Sequence, residues 1–92
     1  MEPRQRFALM EKIIRELDDL KNSQASVLKK IAQIEADNIN LGAESLTNDL
    51  PGIHEEVDDG LQKVSQLLEK FTEYRNQYEK DNQSALVENP GT

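Results

Sequence analysis

Residues 10–41 read MEKIIRELDDLKNSQASVLKKIAQIEADNINL, a stretch without glycine or proline. Its apolar side chains recur in alternating steps of three and four residues, which is the spacing of the a and d positions of a heptad repeat. The a positions are Met10, Leu17, Gln24, Ile31 and Asn38, and the d positions are Ile13, Leu20, Val27, Ile34 and Leu41. Because all but two of these positions are apolar, the pattern predicts a coiled-coil helix over residues 6–41.

The apolar stripe on this helix is wider than a two-stranded coiled coil requires. Phe7, Ile14 and Leu28 add apolar side chains at the neighbouring e position, which favours packing against more than one helix. Two amides, Gln24 and Asn38, interrupt the a positions. Buried amides there lower stability but fix register and partner choice. The alternative is that these two layers are partly solvated, and the sequence leaves both interpretations open.

Residues 42–52 read GAESLTNDLPG and interrupt the repeat. Gly42 is a natural C-terminal stop, and Pro51-Gly52 predicts the start of a second helix, with Asn48 or Asp49 as its N-cap. The three-four spacing resumes over residues 53–80, at Ile53, Val57, Gly60, Val64, Leu67, Phe71, Tyr74 and Tyr78, with Leu61 and Leu68 beside it. Gly60 either permits the close approach of another helix or is only tolerated there.

The predicted fold is therefore all-α, with two long heptad-patterned helices arranged as a helical hairpin or as an extended coiled coil. Residues 1–5 are predicted to form an N-terminal extension, residues 42–52 a short connector and residues 81–92, which lack periodicity, a disordered tail. The predicted partner interface consists of heptad residues of both helices: Met10, Ile13, Leu17, Leu20, Gln24, Val27, Ile31, Ile34, Asn38, Leu41, Val57, Leu61, Val64, Leu67, Phe71, Tyr74 and Tyr78.

The composition limits what the chain does alone. Of its 92 residues 36% are hydrophobic, below the ~45–50% of typical globular domains. A core of this size is marginal, and the absence of cysteine excludes a disulfide or a cysteine zinc site. We therefore expect the chain to be stabilised by oligomerisation or in a larger assembly. Its size argues against a self-contained enzyme, and no catalytic residue, cofactor or metal site is predicted.

His54 and the acids that follow it are the remaining candidates for chemistry. His54 is the single histidine, and we expect an exposed residue in the first turn of the second helix. Four acids follow within residues 55–59, but a calcium loop starting there would place Val57 and Gln66 at ligand positions that require other residues. The acids are therefore interpreted as complementing the positive N-terminal end of that helix, with a basic partner surface as the other option.

The net charge of −7 comes entirely from the second half of the chain. Residues 1–41 carry seven acids and seven bases, whereas residues 42–92 carry eleven acids and four bases. Neither half offers the basic face that direct nucleic-acid binding requires. No apolar run reaches the ~18–20 residues that cross a bilayer, and no signal peptide is recognised. We expect a soluble cytoplasmic protein, with at most peripheral membrane association through its partners.

Charges beside the heptad positions bear on the choice of partner. In a parallel homodimer the first helix would gain attractive pairs such as Glu16–Lys21. The second helix would instead place Lys70 against Arg75, which is repulsive. This difference favours assembly with other helical subunits over one uniform homodimer.

Residues 17–34 read LDDLKNSQASVLKKIAQI, and this segment resembles the core of the Snapin family, small coiled-coil subunits of the biogenesis of lysosome-related organelles complex. The shared features are Ser23-Gln24, the apolar residues Ile13, Leu17 and Leu20 before it, and Val27, Ile31 and Ile34 after it. A connector with Asp49 and Pro51 is also similar, so the likeness spans roughly residues 10–78. The chain departs from the family in lacking a basic second helix.

The resemblance implies a non-enzymatic structural subunit of a hetero-oligomeric coiled-coil complex in endosome–lysosome trafficking. It further implies a location on endosomes through partner subunits and a link to membrane-fusion machinery. Two alternatives fit the same heptad pattern. One is a small coiled-coil subunit of a kinetochore or spindle assembly, and the other is a homodimeric helical adaptor from a bacterium or phage.

Overall fold

The structure is a computed structural model that describes residues 1–86. It contains the helices α1 (Pro3–Leu41), α2 (Glu44–Asp81) and the single turn α3 (Gln83–Leu86), and no strand within those residues. α1 and α2 run antiparallel as a hairpin that measures 70 × 17 × 16 Å. The predicted all-α fold with two long helices is confirmed, and of the two predicted arrangements the hairpin is the one found.

α1 begins at Pro3 rather than at residue 6. Glu2 caps the helix, because its side chain accepts a hydrogen bond from the backbone N–H of Arg4 at 3.0 Å. Pro3 occupies the first helical position, where its missing N–H has no intrahelical partner to lose. The N-terminal extension predicted for residues 1–5 therefore consists of only two residues before the helix.

The connector consists of Gly42 and Ala43 rather than of the predicted residues 42–52. Gly42 has a φ of 71°, and its N–H donates to the carbonyl of Asn38 at 2.7 Å. Glycine adopts this left-handed conformation without strain, so the predicted stop of the first helix at Gly42 is confirmed. The second helix begins at once, at Glu44.

Asn38 explains why the turn is so short. Its Oδ1 accepts a hydrogen bond from the N–H of Ala43 at 2.8 Å, and its Nδ2 donates to Thr47 Oγ1 at 2.8 Å and to the carbonyl of Ala43 at 3.4 Å. Asn38 is buried, so competition from water is weak and the bonds are strengthened. The amide thereby ties the last turn of α1 to the first turn of α2.

Pro51 lies inside α2 and not at its start, so the predicted N-caps Asn48 and Asp49 are wrong. A proline in a helix interior removes one backbone hydrogen bond, here to the carbonyl of Thr47, and costs ~3 kcal/mol. The adjacent Leu50 is buried in a site shared with α1 residues, and burial of a leucine contributes ~1.5–3 kcal/mol. Packing beside a turn that Asn38 has closed therefore overrides the local signal for a helix start.

At the open end of the hairpin, α2 continues to Asp81 and α3 packs back against α1. The hydroxyl of Tyr78 donates to the carbonyl of Pro3 at 3.5 Å. The disordered tail predicted for residues 81–92 thus begins with a helical turn at Gln83–Leu86. Residues 87–92 lie outside the described part of the chain.

The interior of the hairpin is thin. Among residues 1–86 only Met10, Ile31 and Leu50 are buried apolar side chains, and Asn38 is the one buried polar residue. Two helices that meet along one line leave most of their heptad residues partly in water. The stability of helices in proteins comes mostly from tertiary packing. Because the hairpin buries few apolar side chains, we expect it to be only weakly stable.

Replacing Gly42 and Gly52 separately with alanine should change stability in opposite directions. Alanine at position 42 must adopt a φ of 71°, which costs ~1–2 kcal/mol. Alanine at the helical position 52 meets no atom within 4 Å and should add up to ~1 kcal/mol. Urea unfolding followed by circular dichroism, at one protein concentration, measures both. A destabilising effect of equal size at the two positions would contradict the turn described here.

Replacing Asn38 with alanine should destabilise the hairpin by about 1–3 kcal/mol, because the N–H of Ala43 loses its partner in a shielded site. The matched control is Asn40→Ala, two residues later at an exposed position, which should leave stability unchanged or slightly raised. The same unfolding measurement applies. If the two variants were equally stable, the amide would not be what closes the turn.

Candidate functional site

The structure divides the heptad residues into two sets, of which the first forms the hairpin interface. This interface uses the a and e positions of both helices, and the d positions remain beside it. The buried or half-buried side chains along it are Phe7, Met10, Ile14, Leu17, Gln24, Leu28, Ile31 and Asn38 from α1, and Leu50, Val57, Leu61, Val64, Leu68, Phe71 and Tyr78 from α2. Each helix thus packs two of its three apolar rows, a and e, against the other helix of the same chain.

The second set, which we call the outer row, consists of d positions: Ile13, Leu20, Val27, Ile34 and Leu41 on α1, and Ile53, Gly60, Leu67 and Tyr74 on α2. The d position of α2 beside the turn, Leu46, is half-buried and lines a hollow with Asn38 and Leu50, so it is not counted in the row. Apart from the half-buried Ile13 and Gly60, these residues are between 37% and 73% exposed. Single exposed apolar residues are normal on a protein surface, whereas a contiguous patch marks a site of interaction. The outer row runs along nearly the whole hairpin, which makes it the candidate interaction surface.

Both halves of the outer row lie on one side of the hairpin. With 3.6 residues per turn, a d position lies about 80° from the middle of an a/e contact. Because α2 runs in the opposite direction, its d positions are displaced to the same side as those of α1. At the open end, Ile13 and Tyr74 line one hollow, and Arg6, one heptad before Ile13, donates a hydrogen bond to the Tyr74 hydroxyl at 3.3 Å.

The opposite side of the hairpin is covered by polar pairs. Arg75 Nη1 lies 2.7 Å from Glu11 Oε1, and His54 Nδ1 lies 2.7 Å from Glu35 Oε1. All four side chains are partly exposed, so each pair contributes at most about 1 kcal/mol to stability. They make this side more polar than the side of the outer row, although Ile39 next to Glu35 is an exposed apolar residue, 82% exposed.

The structure corrects two predictions about the first turns of α2. His54 is half-buried and paired with Glu35, not exposed in a first turn, because α2 begins ten residues earlier at Glu44. The acids within residues 55–59 are for the same reason about three turns into the helix. The helix dipole acts within the first turn, so these acids do not complement it. Within residues 1–86 no cluster of three or more potential ligands is arranged to hold a metal ion.

Aromatic and cationic side chains close the open end of the hairpin. The rings of Phe71 and Tyr74 stack with centroids 5.6 Å apart. Arg6 lies over the ring of Tyr78 at 5.8 Å, and Arg75 over that of Phe7 at 6.0 Å. The hydrogen bond that Arg6 donates to Tyr74 raises the pKa of its guanidinium above the ordinary value, so Arg6 keeps its positive charge beside the outer row at any physiological pH.

Gln24 and Gly60 face each other near the middle of the hairpin. The Oε1 atom of Gln24 is buried and has no hydrogen-bond partner among the described residues, and such an orphaned group costs ~1–3 kcal/mol. A Cβ added at Gly60 would lie 3.5 Å from Gln24 Nε2, an ordinary van der Waals contact. The hairpin itself therefore does not require glycine there, although glycine in a helix interior costs ~1 kcal/mol relative to alanine.

The predicted interface residues are thus real heptad positions with two different surroundings. Those at a and e positions lie between α1 and α2, and those at d positions lie on the surface; contact with a partner stays a prediction for them. Ile53 is not among the predicted interface residues, although the structure places it in the outer row with the other d positions of α2. Its seven-residue spacing to Gly60, Leu67 and Tyr74 is the signal that identifies it.

No family model, curated protein or solved structure matches this chain.

Neither α1 nor α2, nor any other helix in the described part of the chain, has an apolar stretch long enough to cross a bilayer.

Proposed function

We propose that this protein is a non-enzymatic structural subunit that docks its outer row onto further helices, so that the hairpin becomes half of a helical bundle. The observation that carries the proposal is the apolar side of a hairpin whose own interior is thin. A helix with apolar a, d and e positions is built to contact two neighbours. α1 and α2 contact each other through their a and e positions. Their d positions, which would contact a second neighbour, remain exposed.

The dimensions of the hairpin support an assembly role. At 17 × 16 Å in cross-section, two helices leave no room for an enclosed pocket of the several hundred Å³ that small-molecule sites occupy. A side 70 Å long and 17 Å wide, in contrast, exceeds the ~800 Å² per partner of a standard protein interface. Length and shape therefore favour contact with another elongated element.

The Snapin-like segment at residues 17–34 supports a hetero-oligomeric complex in endosome–lysosome trafficking as the setting. A kinetochore or spindle assembly is the alternative setting, since helical subunits with the same heptad pattern serve there. In either case the protein would reach a membrane or a chromosome through its partner subunits. The docking role itself depends on the outer row and not on the setting.

The hairpin removes the repulsion between Lys70 and Arg75 that was expected to oppose self-association. A parallel homodimer would place Lys70 against Arg75 of a second chain, but Arg75 lies at an e position and pairs with Glu11 of its own chain. The e positions are therefore occupied within the hairpin, and charges beside the outer row decide which partners fit. This observation favours the homodimeric adaptor as a second candidate function.

Leu20→Asp and Leu67→Asp should each remove the partner subunits that co-purify with the tagged full chain. Both side chains are about half exposed, so the carboxylate is harmless in the free hairpin but is desolvated when another helix covers it. The matched control is Ala36→Asp, exposed and away from the outer row. Identification of the co-purifying proteins by mass spectrometry gives the result, and circular dichroism verifies equal helix content.

Ile31→Asp serves as the contrasting variant, because Ile31 is buried within the hairpin and its replacement should reduce helix content as well as binding. The proposal would be overturned if Leu20→Asp and Leu67→Asp kept every partner while His54→Ala, on the polar side, lost them. That outcome would point to a function based on the Glu35–His54 pair.

A further inference from the structure

We propose that the outer row is covered by a second copy of this chain, reversed end to end, so that two hairpins form an antiparallel four-helix bundle. The two-fold axis of this dimer would pass close to Gly60 and Gln24. The inference rests on the proposed function, because it names the occupant of the same face. Three independent features at the middle of the hairpin and along its edges support it.

The position of Gly60 is the first feature. α1 comprises 39 residues and α2 38 residues, so Gln24 and Gly60 both lie within about a turn of the midpoint of their helices. In a dimer with two-fold symmetry, equivalent residues meet only near the axis. Reversal therefore brings Gly60 against Gly60 of the second copy. A residue without a side chain permits two helices to approach closely there, which explains a glycine that the hairpin does not need.

Gln24 is the second feature, at the same level of the hairpin. Its buried Oε1 lacks a partner among residues 1–86. A glutamine amide carries two donors and an acceptor oxygen, so two such amides related by a two-fold axis donate to each other reciprocally. Gln24 lies against Gly60 and close to the axis, so a turn of its side chain toward the second copy gives Oε1 the missing donor.

The charges along the edge of the outer row are the third feature. Each edge residue lies three positions after a d position and is exposed. On α1, Glu16 and Lys30 are centred on Ser23. In the reversed dimer α1 lies against α1 of the second copy, so Glu16 faces Lys30 of that copy, and symmetry repeats the attraction.

The edge of α2 has the same symmetry. Glu56 and Lys70 are centred on Lys63, so Glu56 faces Lys70 of the second copy, again twice. Lys63 meets its own equivalent, which is the one repulsive contact. Ser23 and Lys63 both lie within about a turn of Gln24 and Gly60. A single two-fold axis therefore pairs the edge charges of both helices and also brings Gly60 against its equivalent.

The dimer without reversal fits these features less well. With both turns at the same end, α1 would lie against α2 of the second copy. Glu16 would still face Lys70 and Lys30 would face Glu56, so the attractive contacts are equal in number, but Asp37 would face Asp49 on both sides of the dimer. Gly60 would lie opposite Gln24 of the second copy, so neither the two glycines nor the two amides would meet.

The absence of cysteine in the chain permits a direct test of the arrangement. The purified 92-residue chain should sediment at twice its own mass of 10.5 kDa. In the reversed dimer, Lys63→Cys alone should be cross-linked by a short bis-maleimide, and Glu16→Cys should be cross-linked when mixed with Lys30→Cys. Glu16→Cys mixed with Lys70→Cys should not. The opposite result for the two mixtures would show a dimer without reversal and overturn the inference.

Gly60→Leu tests the close approach, with Gly52→Leu as the matched control at an exposed helical position. Sedimentation equilibrium should show a dissociation constant at least tenfold higher for Gly60→Leu and an unchanged one for Gly52→Leu. Circular dichroism should show equal helix content for the two variants. The Lys63→Cys cross-link is measured with Gly60 unchanged, so it tests the same arrangement even if Gly60→Leu fails to fold.

The two proposals fail in distinguishable ways. A chain that stays monomeric at all concentrations, yet retains its co-purifying subunits through Leu20 and Leu67, would overturn the second copy as occupant and leave the docking function standing. A monomeric chain whose outer-row variants have no effect on any partner would overturn both.

Discussion

The side chain of Asn38 is the interaction on which the rest of the structure depends. By bonding to Ala43 and Thr47 it closes a connector of only two residues. So short a connector leaves α2 no freedom to rotate or slide relative to α1. The phase of α2 is thereby fixed, and with it the choice of which apolar rows point inward. A longer connector would allow other pairings of the same two stripes.

Because each helix has three apolar rows and a hairpin covers two, one row must remain on the surface. The turn assigns the a and e positions to the interior and the d positions to the outside. Few side chains are buried as a result: Met10, Ile31 and Leu50 among the described residues. The thin interior and the exposed outer row are two consequences of one geometric constraint, and a second layer of helices would relieve both.

The heptad frame of both helices could be predicted from the sequence, since the three-four spacing over residues 10–41 and again over residues 53–78 holds in the structure. The connector could not, because Pro51-Gly52 carries a strong local signal for a helix start and the bonds of Asn38 to residues 43 and 47 are visible only after the chain turns. The sequence also does not show which apolar row faces outward. The a, d and e positions are mostly apolar, and only the turn determines whether α2 contacts the a and d rows or the a and e rows of α1. The pairs Glu11–Arg75 and Glu35–His54 require an antiparallel alignment to be recognised.

Gln24 and Asn38 show how carboxamide side chains at equivalent heptad positions can have different surroundings. They lie two heptads apart at a positions. Asn38, beside the turn, finds all its partners within the chain, so its burial is compensated when the hairpin forms. Gln24 lies far from any turn, opposite a continuous helix whose backbone groups are already bonded, and its Oε1 stays without a partner in residues 1–86. The first amide is explained by the fold of one chain, whereas the fold of one chain leaves the second without an explanation.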